Sequence, residues 1–202
     1  DQLSKYRVPS DRLEKLRAAL KRYEGTHSYH NYTNGKTSDD KSAKRYMMSF
    51  IALDPVVDEF GTEWIPTQVV GQSFLLHQIR KMVCMATEVA RGATDMDAFE
   101  STFTNIKIPT ATAPAQGLFL DMSYFDAYNN DKRHQIENPI LWHQTDDKSN
   151  LAAQRTQEFK EQVVMKHVMA EEAAEANFVK FLFVQEFMFD RKNYSPAENV
   201  TE

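Results

Sequence analysis

A strand that runs straight into an apolar helix is the feature that most constrains how this chain can fold. Residues 62–70 are rich in β-branched side chains and are followed by Gly71, which predicts a strand and its end. Over residues 74–90 apolar side chains recur at helical spacing, and Gly92 follows the pattern. We therefore predict a helix that packs on a core through one stripe. The predicted stripe consists of Leu75, Ile79, Met82, Val83, Ala86, Val89 and Ala90.

Arg80 lies on this predicted helix beside the apolar stripe, about 120° from the centre of the stripe. From this position the apolar stem can pack, while the guanidinium group either reaches solvent or enters a cleft that holds an anion. Periodicity alone leaves both interpretations open.

The other predicted elements alternate between helix and strand without the regular strand-helix-strand repeat of a parallel sheet. They are a helix over residues 11–23 with Ser10 as its N-cap, a strand over 45–53, a short helix that ends near 104, and a strand over 117–124. The loop 54–61 joins two strands and predicts a β-hairpin. We therefore predict an α+β fold with a mainly antiparallel sheet packed with helices.

Composition limits the classes of protein that fit this chain. Its 202 residues, 42% of them hydrophobic, can bury a core and fit one domain with an appendage. No apolar run approaches the roughly 20 residues that a membrane helix needs, so we predict no membrane partner. Cys84 is the single cysteine, which excludes an internal disulfide and favours a reducing compartment.

Positive charge is concentrated at the start of the chain. The formal net charge is −5, but residues 1–46 contain eleven Lys and Arg against six Asp and Glu, a local charge of +5. Within this region Lys41, Lys44 and Arg45, together with Lys36, form a cluster that could contact RNA phosphates. The alternative is an ordinary solvated loop.

Three segments match the motifs of one enzyme family in the family's order. Residues 74–82 resemble the F-x-x-H-x-[IV]-R-x-[MI] helix of the TruA-type tRNA pseudouridine synthases, and residues 112–120 resemble their T-A-P-A-x-G-L-x-L strand. Residues 25–33 are similar to the G-T-H-x-[FY]-H-N-[FY]-T segment of the eukaryotic multisite branch. The resemblance covers about residue 10 to Tyr128 and implies a pseudouridine synthase-like fold.

The resemblance implies roles for two residues. Arg80 would be the partner of the nucleophilic aspartate, and Leu118 would pack against the target base. An inward-facing strand residue is the alternative for Leu118. The family carries its aspartate in an R-T-D-x-G-V-H-A-like loop upstream of all three segments, and no such loop occurs in these 202 residues. We therefore expect the carboxy-terminal half of a catalytic domain, inactive alone, that uses no cofactor.

The histidines provide further candidate RNA contacts. His27 and His30 lie three residues apart, but a structural zinc site wants four ligands and usually paired cysteines, so we predict no metal. A phosphate contact or a hydrogen-bonded histidine explains the pair with fewer assumptions. His77 lies opposite the apolar stripe and is predicted to face solvent or the cleft, close to RNA.

The character of the sequence changes beyond residue 129. We predict that residues 1–129 form the second half of the catalytic domain and that residues 130–202 form a mainly helical carboxy-terminal extension. Residues 150–189 contain no Gly or Pro and predict long helices whose apolar face packs on the sheet domain or on a partner. This face consists of Phe159, Val163, Val164, His167, Val168, Phe178, Phe181, Leu182, Phe187 and Met188.

The function that the resemblance implies is isomerisation of uridine to pseudouridine in RNA by a tRNA pseudouridine synthase. The expected partners are tRNA, other RNAs as a wider class, and the missing amino-terminal half of the enzyme. A non-catalytic RNA-binding or assembly module is the alternative, and a helical interaction protein built on residues 150–189 is a third. The expected location is the nucleus, with the mitochondrion as the alternative.

Overall fold

The computed structural model describes residues 5–130, 139–141 and 150–187, which group into two compact units. The first unit runs to Pro114 and includes the helix that begins at Asn177, and the second unit is Ala115–Ala176. The boundary predicted after residue 129 concerns family domains rather than compact units, and it stays a prediction. Met188 of the predicted apolar face lies outside the described residues.

The first unit is built on a three-stranded antiparallel sheet in the order β1-β2-β5. A separate two-stranded antiparallel pair consists of β3 and β4. The strands are β1 Gly25–Ser28, β2 Lys44–Ala52, β3 Val56–Val57, β4 Glu63–Trp64 and β5 Thr67–Gly71. Helices flank this sheet, so the predicted α+β fold with antiparallel pairing is confirmed.

The single strand predicted over residues 62–70 is wrong. The structure divides it into β4 and β5, and Ile65 and Pro66 lie between them. Proline lacks the amide hydrogen that a strand ladder requires, so the ladder is interrupted there. The carbonyl of Pro66 still accepts a hydrogen bond from the amide of Leu53 at 2.8 Å, which keeps β5 beside the end of β2.

Two helices, α1 Ser10–Lys21 and α2 Gln78–Ala90, pack against each other, and α1 also packs on β2. The core between them is aromatic. Tyr23 is fully buried, its hydroxyl donates to the carbonyl of Met82 at 3.0 Å, and its ring centroid lies 4.8 Å from that of Phe99. The predicted N-cap at Ser10 is wrong, because α1 already begins there and Pro9 precedes it without a side-chain cap.

The helix predicted from residue 74 begins four residues later. His77 has a left-handed backbone with φ of 62°, which a helix interior does not allow, so α2 starts at Gln78. The side chain of Gln78 then accepts a hydrogen bond from the amide of Leu75 at 2.8 Å. This side-chain bond satisfies an amide just ahead of the helix, which apolar periodicity alone could not predict.

The buried face of α2 is also rotated from the predicted stripe. Met82, Ala86 and Val89 are buried as predicted, but the other four predicted members are only partly buried. The remaining buried residues are Gln78, Lys81, Cys84, Met85 and Glu88. Polar side chains with internal partners, such as the Glu88–Arg91 ion pair at 3.2 Å, can occupy a buried face that a hydrophobic pattern assigns to apolar residues alone.

The short helix α3 Met96–Ser101 follows α2, and the side chain of Asp95 caps it by accepting from the amide of Ala98 at 2.8 Å. The chain then returns towards α2 through residues 102–113, which carry no regular secondary structure. This return segment positions the candidate site.

The second unit contains α4 Asp126–Asn129, α5 Leu151–Phe159, a π-helical turn Lys160–Met165 and α6 Lys166–Glu175. The strand predicted over residues 117–124 is wrong, since the described chain is irregular there. A strand needs neighbouring backbone partners, and the amide of Leu118 instead closes a turn on the carbonyl of Ala115 at 2.9 Å.

The long helical tract predicted after residue 150 is present but interrupted. Ala176 adopts a left-handed backbone with φ of 51°, which ends α6 and separates it from α7 Asn177–Phe187. In the first unit α7 contacts β4 through Phe178 and Trp64, whose ring centroids lie 5.8 Å apart. None of the helices in the described ranges combines the length and apolar character that a bilayer span requires.

Candidate active site

Arg80 is held in place by two backbone groups rather than extending freely into solvent. It lies in the first turn of α2 and is half-buried. Its Nε donates to the carbonyl of Ala113 at 2.6 Å, and the amide of Ala113 donates back to the carbonyl of Arg80 at 3.4 Å. The side chain and the main chain of Arg80 therefore both bind the same residue of the return segment.

His77 completes this arrangement. Its Nδ1 lies 3.4 Å from Nη1 of Arg80, and its left-handed backbone turns the chain into α2. Among the residues that the structure describes, no carboxylate forms an ion pair with Arg80. The guanidinium group is thus fixed through Nε, while no acid of the described chain neutralises its charge.

Asn31 organises the segment that reaches Ala113, and sequence reasoning missed this role. Its side chain is buried and donates to the carbonyls of Thr102 at 2.9 Å and Ile106 at 2.8 Å, while its Oδ1 accepts from the amide of Ile108 at 2.9 Å. The carbonyl of Asn31 accepts from the hydroxyl of Thr110 at 2.7 Å. The sequence offers one signal for this role, which is that Asn31 lies within the 25–33 motif directly after the candidate residue His30.

The two histidines of that motif have protein partners. His30 is 1% exposed, its Nδ1 lies 3.2 Å from the hydroxyl of Ser28, and its Nε2 lies 3.4 Å from the carbonyl of Ile106. Burial lowers the pKa of His30 and favours the neutral ring. Both ring nitrogens of His30 therefore have protein partners, as in the hydrogen-bonded alternative, and its RNA contact stays a prediction.

His27 is half-buried and packs rather than projecting outward. Its Nε2 lies 2.9 Å from the carbonyl of Glu24, and its ring centroid lies 4.4 Å from that of Phe103. An RNA contact by His27 stays a prediction, and it would have to use the exposed edge of the ring.

The basic cluster divides into neutralised and unpaired charges. Lys36 forms an ion pair with Asp40 at 2.9 Å, and hydrogen bonds from Ser42 and from Lys36 lower the pKa of Asp40 to about 2. Lys41 and Lys44 are exposed and form no ion pair with the described residues. These two lysines remain available for an external anion.

Arg45 differs from the two lysines because its side chain has local partners. Its Nη1 donates to the carbonyls of Ser42 and Lys44, both at 2.7 Å. These bonds close the short 3-10 helix Lys41–Ala43 onto the start of β2. Arg45 therefore has a structural role in addition to its predicted RNA contact.

Leu118 lies in the second unit, where it is 44% exposed. The next two residues, Phe119 and Leu120, are 37% and 82% exposed. A run of three consecutive exposed apolar side chains is unusual at a protein surface. Packing of Leu118 against a base stays a prediction.

Comparison with known proteins identifies the family. A family model described as tRNA pseudouridine synthase matches residues 19–126, more than half of the chain. The chain belongs to the tRNA pseudouridine synthase family. The match covers all three motifs singled out in the sequence, so the predicted resemblance is confirmed.

Relatives from fungi and from human agree with this assignment. The chain is 42% identical to tRNA pseudouridine synthase 1 of Candida albicans over 87% of its own length and 28% of that protein. It is 33% identical to tRNA pseudouridine synthase 1 of Schizosaccharomyces pombe over 99% of its length and 36% of that protein. The human Pseudouridylate synthase 1 homolog is 33% identical over 88% of the chain and 40% of the human protein. The chain therefore spans between about a quarter and two-fifths of the length of these relatives.

The contact between Arg80 and Ala113 joins two motifs of the family. The two residues belong to the two motifs that the sequence analysis found most specific, the helix of residues 74–82 and the segment of residues 112–120. Two hydrogen bonds between Arg80 and Ala113 therefore connect these motifs in the structure.

Proposed function

We propose that this chain supplies the supporting half of the active site of a tRNA pseudouridine synthase, and that a nucleophilic aspartate is supplied by the remainder of the protein. The observation that carries the proposal is the state of Arg80. A half-buried guanidinium group, fixed by Ala113 and with no acid partner among the described residues, is suited to receive a carboxylate.

The reaction explains why the catalytic carboxylate needs a guanidinium group such as that of Arg80 beside it. Conversion of uridine to pseudouridine breaks the C1′–N1 bond, turns the base and joins C1′ to C5. The proton on C5 is released to solvent and N1 takes up a proton, so the composition of the nucleotide is unchanged. The carboxylate acts at the sugar and must be ionised for that task. A guanidinium group at short range lowers a carboxylate pKa by roughly 1 to 3 units, so Arg80 would hold the aspartate in its active form.

Substrate access requires that the uridine leave the base stack. A base inside a helix hides its glycosidic bond, and enzymes that act on such bases extrude the nucleotide into a pocket. Leu118 would pack against the extruded base, and the exposed Lys41 and Lys44 would contact phosphates of the same tRNA. No cofactor takes part in this scheme.

A non-catalytic RNA-binding or assembly module is the second candidate. It is favoured by the absence of the family's aspartate loop from these 202 residues and by Lys41 and Lys44, which form no ion pair with described residues. Both candidates bind RNA, so a binding measurement does not separate them.

Release of tritium from tRNA that carries 5-³H-uridine separates them. We expect the complete protein to release tritium and the isolated 202-residue chain to release none, because the isolated chain lacks the nucleophile. Circular dichroism of the isolated chain serves as the control for folding. Release by the isolated chain would refute the shared active site, and no release by the complete protein would support the second candidate.

A further inference from the structure

His77, the residue directly before α2, has a backbone conformation that most residues avoid. Its φ is 62°, and in the part of the chain that the structure describes glycine occupies the positive-φ positions other than His77 and Ala176. A left-handed backbone costs free energy in a residue with a Cβ atom but not in glycine, and such strain concentrates at functional sites. We therefore expect the side chain of His77 to have a role that glycine cannot fill.

Hydrogen bonds on both sides hold the turn that contains His77. The hydroxyl of Thr33 donates to the carbonyl of Leu76 at 2.9 Å. The amide of Leu75 donates to the side chain of Gln78 at 2.8 Å. Because the backbone is bound on each side of His77, the turn fixes the direction in which the ring leaves the chain.

The ring of His77 contacts Arg80 instead of capping the helix. His77 lies at the N-cap position of α2, but its side chain forms no capping hydrogen bond. Its Nδ1 lies 3.4 Å from Nη1 of Arg80. Arginine carries only donors and stays charged, so this hydrogen bond requires a neutral ring with an unprotonated Nδ1 and its hydrogen on Nε2. The contact therefore defines the tautomer of His77.

Two acceptors then hold the guanidinium group of Arg80 at different nitrogens. The carbonyl of Ala113 accepts from Nε at 2.6 Å, and the ring of His77 accepts from Nη1. Because the guanidinium group is planar, two acceptors at different nitrogens set the direction of its plane. The remaining N–H groups of Nη1 and Nη2 are not used by these two bonds and can donate to a carboxylate.

We propose that His77 is a positioning residue for pseudouridine formation, an inference that rests on the function proposed for Arg80. The neutral ring of His77 and the carbonyl of Ala113 together hold the guanidinium group in the plane that meets the nucleophilic aspartate. In this scheme His77 touches neither the aspartate nor the uridine. Direct contact between His77 and RNA is the competing explanation, and the test separates the two.

The test measures tritium release from 5-³H-uridine tRNA by the complete protein over a range of tRNA concentrations. His77→Gly removes the ring and adopts a left-handed backbone without strain. We expect its kcat to fall about fivefold to tenfold, because the guanidinium group loses one of its two acceptors. KM for tRNA should stay within about twofold of wild type, and the urea midpoint should not fall.

His77→Asn is the conservative variant that should restore turnover. Asparagine tolerates a left-handed backbone, and its amide oxygen is bonded to Cγ as Nδ1 is in histidine. It therefore keeps an acceptor for Arg80 but lacks the Nε2 group. We expect kcat of His77→Asn within about twofold of wild type.

Two further variants test whether the effect acts through Arg80. In an Arg80→Met background, His77→Gly should cause no further loss of kcat, because the ring then has no guanidinium group to hold. Ala176→Gly is the matched control for backbone strain, since Ala176 also has a positive φ, of 51°. It should leave kcat unchanged.

Wild-type kcat in His77→Gly would overturn this role of His77. A raised KM with unchanged kcat, or a His77→Asn variant as slow as His77→Gly, would also overturn it and would indicate RNA contact through Nε2. An undiminished further loss in the Arg80→Met background would do the same. If Arg80→Met itself keeps wild-type turnover, the proposed function fails, whereas a slow Arg80→Met with a fast His77→Gly refutes the role of His77 alone.

Discussion

Arg80 is bound more tightly than a surface arginine needs to be. Its Nε bond to Ala113 at 2.6 Å is short, and the reciprocal backbone bond keeps the two segments in register. A guanidinium group held at Nε presents its terminal nitrogens in a fixed plane, which suits bidentate recognition of a carboxylate. The function proposed for Arg80 therefore depends on geometry as well as charge.

We expect Arg80→Lys in the complete protein to lower turnover by at least about tenfold, equivalent to roughly 1.4 kcal/mol of transition-state stabilisation. Lysine keeps the charge but loses the planar fork that orients the carboxylate. Arg80→Met should lower turnover further and raise the pKa of the aspartate in a pH–rate profile. Affinity for tRNA should stay within a few-fold of wild type. Wild-type turnover in both variants would make Arg80 a structural residue only.

Asn31 is expected to be a stability determinant of the same site. Replacement by Ala leaves the carbonyls of Thr102 and Ile106 and the amide of Ile108 without their side-chain partner. Each buried polar group left unsatisfied costs about 1–3 kcal/mol, so we expect Asn31→Ala to lose at least about 2 kcal/mol of unfolding free energy. Urea denaturation measures this loss. Asn34→Ala, at an exposed position, is the control and should change stability by less than about 0.5 kcal/mol.

Residue types and their order were enough to find Arg80 but not its partner. The motif containing Arg80 and the motif containing Ala113 were both visible in the sequence, whereas the hydrogen bond between them depends on a return segment without regular structure. The same limit applies to Asn31, whose bonds reach residues 71 to 77 positions away. Local pattern carries no information about contacts at that separation.

The 3-10 helix Lys41–Ala43 and the start of β2 form the element that presents free positive charge. Asp40 caps this helix by accepting from the amide of Ser42 at 2.8 Å, and Arg45 closes its other end. This local bonding orders the backbone between Lys41 and Lys44, while their ammonium groups form no ion pair with the part of the chain that the structure describes. A preordered pair of cations binds phosphates with a smaller loss of conformational entropy.

We expect Lys41→Ala combined with Lys44→Ala to weaken tRNA binding and to flatten the salt slope by about 1.4 to 1.8, the value for two phosphate contacts. Thermal stability should barely change, since both side chains are exposed. Lys36→Ala is the matched control, because Lys36 is already paired with Asp40 and should leave the slope unaltered. An unaltered slope in the double variant would show that this element faces away from the RNA. Arg45 is left intact because its backbone bonds would confound the result.

Helices and strands were predicted correctly where a single hydrophobic periodicity runs along the segment. They were predicted incorrectly where a proline or a left-handed residue interrupts the regular backbone. The strand predicted over 45–53 matches β2, in which Phe50 and Ala52 are buried by alternation and a register shift between Met47 and Ser49 accompanies the burial of Met47. The strand predicted over 62–70 is wrong because Pro66 interrupts it. The start of α2 was predicted too early because the hydrophobic pattern does not mark the left-handed backbone of His77. The strand predicted over 117–124 had the right composition, but the described chain offers it no pairing partner.

At the scale of the whole molecule, the proposed function assigns the folded support for catalysis to this chain and the nucleophile to the remainder of the protein. The first unit has its own aromatic core around Tyr23 and its own sheet. We therefore expect this unit to hold Arg80 in place without the remainder of the protein. If Arg80 is already positioned, activity should depend only on bringing the aspartate to it. Catalysis would then be recoverable from separate pieces.

We therefore expect mixing of this chain with a second polypeptide, comprising the remainder of the protein, to restore tritium release from 5-³H-uridine tRNA. The restored rate should rise with the concentration of either piece until the pieces are saturated, because association limits it. The same mixture made with Arg80→Met should bind tRNA but release tritium at least about tenfold more slowly, since the carboxylate then lacks its cation. Each piece alone should be inactive. Restoration that is indifferent to Arg80→Met would show that the second polypeptide holds a complete active site and that this chain contributes only binding.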